Sequence, residues 1–174
     1  MGQSELSVTL IQTDLYWEQP EKNIASLTKK IAALQSKTDL IVLPEMFTTG
    51  FSMEPANIAE SMDGATVQGL RAMAAAYQAA IAGSVIIEDA GNYYNRFLLV
   101  HTNGVVDYYD KKHLFTLAGE HEIYTEGNAL KTFELKGWKI RPMVCYDLRF
   151  PVWARNTDNY DLLIYVANWP TPRK

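Results

Sequence analysis

The run Leu40-Ile41-Val42-Leu43, closed by Pro44, constrains the fold more than any other stretch of the chain. Four consecutive apolar residues leave no polar face. Such a segment reads as a strand covered on both sides, which is how parallel strands sit inside α/β domains. Its flanks agree. Residues 7–12 read as a strand, with Val8, Leu10 and Gln12 alternating against Thr9 and Ile11. Pro20 suits the first position of a helix, and Ile24, Leu27, Ile31 and Leu34 follow at helical spacing, which predicts an amphipathic helix over 21–36. A second, Ala-rich helix is expected over 66–80 and a strand over 82–88. The first half thus reads βαβαβ.

Hairpins follow. Residues 89–92 separate the strand at 82–88 from one at 93–100, and Asn103-Gly104 reads as a two-residue turn into a strand at 105–109. Lys136-Gly137 joins 131–135 to 138–145. A short helical segment is expected over 149–156, entered through Pro151, and Leu162–Val166 is a last buried strand. About eight strands and three helices imply a mixed α/β layered fold with helices outside sheets.

Composition narrows the function classes. In 174 residues, 48% are hydrophobic and 21% charged, an ordinary globular balance that excludes disorder and low-complexity repeats. One domain spanning residues 1–174 is expected. The formal net charge of −4 and the lack of a basic stripe argue against nucleic acid as a partner. Residues 1–7 lack a basic stretch followed by an apolar one. Residues 72–87 are broken by Tyr77, Gln78, Gly83 and Ser84 and fall short of the roughly 20 residues a membrane span needs. With a single cysteine, Cys145, no intrachain disulfide can form, which suits a reducing cytoplasm.

In α/β folds ligands gather at the carboxyl ends of strands. Three reactive residues fall at such ends: Glu45 beyond the strand at 40–43, Lys111 beyond 105–109, and Cys145 at the end of 138–145. Cys145 runs straight into Tyr146-Asp147-Leu148-Arg149-Phe150-Pro151, a strand–turn–helix elbow of the kind that exposes a nucleophile. A helix N-terminus and a lysine beside it would favour the thiolate, the attacking form. Other readings stay open: a lone cysteine is often a small buried hydrophobe, Glu45 can cap a loop, and Asp110-Lys111-Lys112 can be a solvated charge cluster. A Cys–His pair of Cys145 with His113 or His121 is the rival catalytic arrangement. His101, beside a hairpin turn, reads as a surface residue. No phosphate loop or dinucleotide fingerprint is present, and without an H-x-x-x-H pair a metal site is not expected.

The segments Leu43-Pro44-Glu45-Met46-Phe47, Tyr109-Asp110-Lys111-Lys112-His113-Leu114-Phe115 and Val144-Cys145-Tyr146-Asp147-Leu148-Arg149-Phe150-Pro151 resemble the nitrilase superfamily of carbon–nitrogen hydrolases. The resemblance runs from about Val8 to Trp169. It implies an α-β-β-α sandwich of two stacked sheets. It also implies Glu45 as general base, Lys111 as oxyanion stabiliser and Cys145 as nucleophile, with no cofactor. Gln12-Thr13-Asp14-Leu15-Tyr16-Trp17-Glu18, Thr48-Thr49-Gly50-Phe51-Ser52-Met53 and Ala118-Gly119-Glu120-His121-Glu122 are similar to the bacterial omega-amidase branch, which hydrolyses 2-oxoglutaramate and related ω-amides.

On that resemblance Glu120 is a second active-site glutamate that positions substrate or water, and the Tyr146 backbone N–H is an oxyanion donor. Nitrile or carbamoyl-amine hydrolysis, and an inactive chain acting only by association, are the alternatives. Asp147 and Arg149 are expected to be structural, as a turn cap and an ion pair holding the elbow. Family domains continue past Lys174, so the chain reads as C-terminally shortened. A homodimer pairing through residues 151–156, with the apolar Leu162–Val166 strand uncovered, is expected.

Overall fold

The computed structural model describes residues 5–169. The apolar run forms β2 (Leu40–Val42), flanked by β1 (Val8–Leu10) and β3 (Ala80–Asp89), both parallel to it. β3 then turns into β4 (Asn92–Val100) and β5 (Val106–Asp110), which are antiparallel, giving a five-stranded sheet in the order β1-β2-β3-β4-β5. A second sheet has three strands: β6 (Phe133–Leu135) antiparallel to β7 (Trp138–Val144), and β8 (Leu162–Val166) parallel to β7.

The crossovers are α1 (Pro20–Ala32) and α2 (Ala65–Tyr77), and a single turn, α3 (Glu120–Ile123), lies after β5. α1 begins on Pro20 and carries Lys29 and Lys30 in its last turn, where cations favour the helix dipole. It ends before the expected residue 36, although Leu34 still packs on the core beyond its end. α2 stops at Gln78, whose φ of 52° ends the helix. Ala80 therefore begins β3 two residues before the expected strand start.

The strand period of two divides the first sheet between two cores. Ile41, Ile81, Val85, Leu98 and Val100 face α1 and α2, meeting Leu27, Ile31, Val67 and Leu70. Leu40, Val42, Ala82, Phe97, Leu99 and Tyr109 face the second sheet, meeting Phe133, Ile140, Val144, Ile164 and Val166. The layers are thus helices, sheet, sheet, and both long helices lie on the first sheet. β8 is better covered than its sequence suggested. Ile164 and Val166 are buried in the inter-sheet core, and Leu162, Leu163 and Tyr165 are half-buried.

Two turns differ instructively. Lys136 and Gly137 both have positive φ (54° and 81°), so Leu135 and Trp138 are joined by the expected two-residue turn. At Asn103-Gly104 the loop is one residue longer. Gly104 N donates to His101 O, His101 N donates to Val105 O, and of the loop residues only Gly104 takes positive φ (83°). This is the three-residue hairpin with a glycine bulge. The expected helix over 149–156 is absent. A 3₁₀ turn occupies Cys145–Arg149 instead, and Phe150 (φ −122°, ψ 68°) breaks it. Phe150 precedes Pro151, and the proline ring disfavours helical backbone at the residue before it. No helix among the described residues is long and apolar enough to cross a membrane.

Candidate active site

Glu45, Lys111 and Cys145 meet at one end of the seam between the sheets. Glu45 lies past β2, and Met46 after it adopts φ 44°, its N–H donating to Ser84 Oγ at 2.9 Å. This tight turn holds the fully buried carboxylate in place. Asn95 Nδ2 donates to Glu45 Oε1 at 2.9 Å, Lys111 Nζ to the same oxygen at 3.2 Å, and Asn168 N to Oε2 at 3.0 Å.

Lys111 follows β5 directly, with its N–H on Asn95 O and its carbonyl accepting from Gly127 N. Only glycine fits at 127, because a Cβ there would lie 2.1 Å from the Asp110 carbonyl oxygen. The Lys111 side chain is fully buried, and its ammonium donates to both oxygens of Glu120 at 3.0 and 2.9 Å. Glu120 also accepts from Phe115 N at 2.5 Å. Burial raises the Glu120 carboxyl above the usual carboxylate range, with Lys111 pulling it back. Burial works to lower the Lys111 pKa, but the facing charges of Glu45 and Glu120 outweigh it and hold the ammonium protonated.

Cys145 stands at the sharp end of β7 with φ 46°, a left-handed backbone that costs a non-glycine residue about 1–3 kcal/mol. Asp147, buried beneath it, supports the bend. Its Oδ2 accepts from Val144 N at 3.0 Å and from Tyr109 OH at 2.8 Å; its Oδ1 accepts from His113 N at 2.9 Å and lies 2.8 Å from His113 Nδ1. Asp147 is therefore the turn cap the sequence suggested, and the basic side chain that meets it is His113. Arg149 instead lines the neighbouring cavity.

The His113 ring stacks on Phe150 at 3.8 Å and meets Trp153 edge-on, which fits a strut between the lysine loop and the elbow. The partners of the Cys145 sulfur are Trp169 Nε1, at 2.9 Å, and the Glu45 carboxylate. Neither His113 nor His121 lines the cavity that Cys145 opens into. His101 pairs with Asp107 across the β4–β5 hairpin.

The expected thiolate preference is reversed. Burial, reinforced by the Glu45 charge, pushes the Cys145 thiol up to about 12, and Lys111 and the Trp169 indole only partly offset this. Cys145 thus rests as a thiol beside the Glu45 carboxyl group. The cavity, about 560 Å³, is lined by Glu45, Phe51, Phe115, Leu117, Cys145, Tyr146, Arg149, Asn168 and Trp169. Tyr146 lies on it. Glu120 does not: both of its oxygens are turned to Lys111 and Phe115 N.

Asn95 and Asn168 are not singled out in the sequence, where Trp169 reads as a packing aromatic. Asn95 carried a signal, as an amide on the inward face of β4 two positions before Phe97. Asn168-Trp169 carried another, since it follows the end of β8 as Cys145 follows the end of β7.

The buried acids of the site make stability sensitive to alkali. Burial raises the folded-state pKa of Cys145, Tyr109 and Tyr124, so the native chain holds protons there that the unfolded chain releases. That stabilisation is complete below the unfolded values, about 8.5 for Cys and 10 for Tyr, and fades as pH rises beyond them. The urea midpoint should fall between about pH 9 and pH 11, less steeply in Tyr124→Phe. A midpoint that stays level over this range would contradict the assignment.

A family model described as carbon-nitrogen hydrolase matches residues 7–173. The chain is 48% identical over 168 residues to omega-amidase YafV of Escherichia coli (strain K12), covering 97% of this chain and 65% of that protein. It is 31% identical over 172 residues to 2-oxoglutaramate amidase of Bacillus subtilis (strain 168), covering 96% of this chain and 66% of that one. Among solved structures, XC1258 from Xanthomonas campestris, a CN-hydrolase superfamily protein with an arsenic adduct in its active site, superposes with a TM-score of 0.92. Identity there is 42%, over 97% of this chain and 66% of that one. The chain spans about 65% of the length of the curated relatives it matches first.

Proposed function

Because the chain belongs to the carbon–nitrogen hydrolase family, we propose that it hydrolyses the amide bond of a small ω-amide, 2-oxoglutaramate or a close analogue, through a thioester on Cys145. The observation that carries this reading is a thiol and a carboxylate side by side on one cavity, with a buried ammonium hydrogen-bonded to that carboxylate from behind. Glu45 takes the thiol proton as sulfur attacks the amide carbonyl. The oxyanion is held by the Lys111 ammonium and the Tyr146 backbone N–H at the start of the 3₁₀ turn. Glu45 returns the proton to the departing nitrogen, the C–N bond breaks and ammonia leaves. Water, activated by Glu45, then cleaves the thioester. Glu120 serves this sequence by fixing Lys111 between two carboxylates.

The omega-amidase relatives support the ω-amide, and so does the lining of the cavity. Phe51, Phe115, Leu117 and Trp169 make an apolar wall, and Arg149 supplies a cation suited to a carboxylate at the far end of a short acyl chain. The test is a panel of ω-amide, nitrile and N-carbamoyl compounds of matched chain length, scored by ammonia release and by the mass of Cys145. The expected result is fastest release from the ω-amide with an acyl adduct on Cys145. Release only from the nitrile or carbamoyl compound, or no release with an unmodified cysteine, would overturn the reading.

Two further properties belong to this proposal. A reduced thiol is essential to the chemistry, which suits the cytoplasm. Leu148, Phe150 and Val152 are 50%, 38% and 75% exposed and adjoin the elbow, and we assign this apolar face to pairing with a second copy of the chain. Sedimentation velocity should report a dimer at micromolar concentration that Val152→Glu converts to monomer. An unchanged sedimentation coefficient in the variant would refute the assignment.

A further inference from the structure

The register of the second sheet brings a second segment to the nucleophile. β7 and β8 are parallel with Val144 opposite Val166, so Cys145 and Ala167 leave the sheet side by side. Asn168 and Trp169 then fold back over the site. The Asn168 N–H donates to Glu45 Oε2 at 3.0 Å, and the Trp169 indole N–H points at Cys145 Sγ at 2.9 Å. One three-residue stretch therefore touches both the base and the nucleophile. The indole nitrogen is a donor only, so its contact with sulfur has a fixed polarity: it strengthens as negative charge develops on the sulfur.

We propose that Trp169 is a catalytic residue whose indole N–H stabilises the Cys145 sulfur as its proton passes to Glu45. This deepens the reading of Cys145 as nucleophile and rests on it. The Lys111 ammonium is shared by two carboxylates, at 3.2 Å from Glu45 and 3.0 and 2.9 Å from Glu120, so it is poorly placed to serve the sulfur alone. Among the described residues the indole N–H meets no acceptor other than that sulfur. Burial and Glu45 oppose ionisation of the thiol, and the indole is one of the groups working against them.

Alkylation of Cys145 by iodoacetamide, followed by mass spectrometry over about pH 7–10, tests this without any amide substrate. Cys145 is the chain's single cysteine, so the readout is unambiguous. In Trp169→Phe the alkylation rate at a given pH should fall about tenfold, the scale of a hydrogen bond to a charged group. Trp169→His, which keeps a ring N–H, should recover part of the loss. A tryptophan that merely shields the thiol would give the opposite result, since removing the larger ring would speed alkylation. Faster or unchanged alkylation in Trp169→Phe therefore overturns the proposal. Should the variants fail to fold, hydrogen exchange of the Trp169 indole N–H decides: slower exchange in the wild type than in Cys145→Ala supports it, and equal exchange refutes it. Slowed alkylation in a chain that releases no ammonia would retire the amidase reading and leave Trp169 as the donor. Ammonia release with unaltered alkylation would do the reverse.

Discussion

Replacing Lys111 with methionine is expected to abolish turnover and to destabilise the fold by about 3–5 kcal/mol, the usual cost of removing one partner from a buried ionic cluster. The side chains of Lys111, Glu45 and Glu120 are all fully buried, with the ammonium between the two carboxylates. Methionine fills the volume but leaves two facing acids without a cation, and at least one must take up a proton. For a chain of this size the melting temperature should drop by about 10 °C or more. Adding Glu120→Gln should restore part of the stability, because one buried charge is gone, while turnover stays lost. Thermal unfolding of the single and double variants checks this. A Lys111→Met chain melting like the wild type would show that the cluster is not held as described.

Asp147→Ala should have the second largest effect, a loss of about 3 kcal/mol or more. The carboxylate serves Val144 N, Tyr109 OH and His113 N from a fully buried position, and alanine leaves all three donors unsatisfied. The loss reaches the chemistry because Val144 N is the last strand donor before Cys145 takes its left-handed turn. Asp147→Asn keeps the shape but only one acceptor oxygen, so it should fall between alanine and wild type in both urea midpoint and ammonia release. Equal stability of all three chains would exclude the supporting role.

The parts of this structure that were legible in the sequence depend on local pattern. Leu40-Ile41-Val42-Leu43 reads as a covered strand because it has no polar face, and Leu27 and Ile31 fall on the buried stripe of α1. Lys136-Gly137 was readable as a turn because the flanking strands leave two residues between them. Glu45, Lys111 and Cys145 stood out because each is a reactive side chain at a strand end. The less legible features come from chain segments distant in sequence. Asn95 and Asn168 lie 50 and 123 positions from the Glu45 they hold, and Trp169 lies 24 from Cys145. The ion pair expected of Arg149 is absent among the described residues, and the basic side chain that meets Asp147, His113, arrives from another loop. The protonation preference of Cys145 was misjudged because counting nearby cations ignores burial, and burial is the larger effect here. The helix expected over 149–156 does not form because Pro151 disfavours helical backbone at Phe150, a restriction that the apolar pattern does not show.

Glu45 and Lys111 belong to one sheet and Cys145 to the other, so the groups of the proposed site straddle a packing seam rather than sharing a scaffold. The two faces of the first sheet therefore tolerate sequence drift unequally. Where Ile41, Val85 and Leu98 meet the helices, an exchange of one aliphatic side chain for another is judged by stability alone. Where Phe97, Leu99 and Tyr109 meet Phe133, Ile140 and Val144, the same exchange also alters the spacing of the two halves of the site. Inherited variation should accumulate on the helix side and thin out along the seam, so that the positions separating the sheets act as a gauge block for the chemistry at their end.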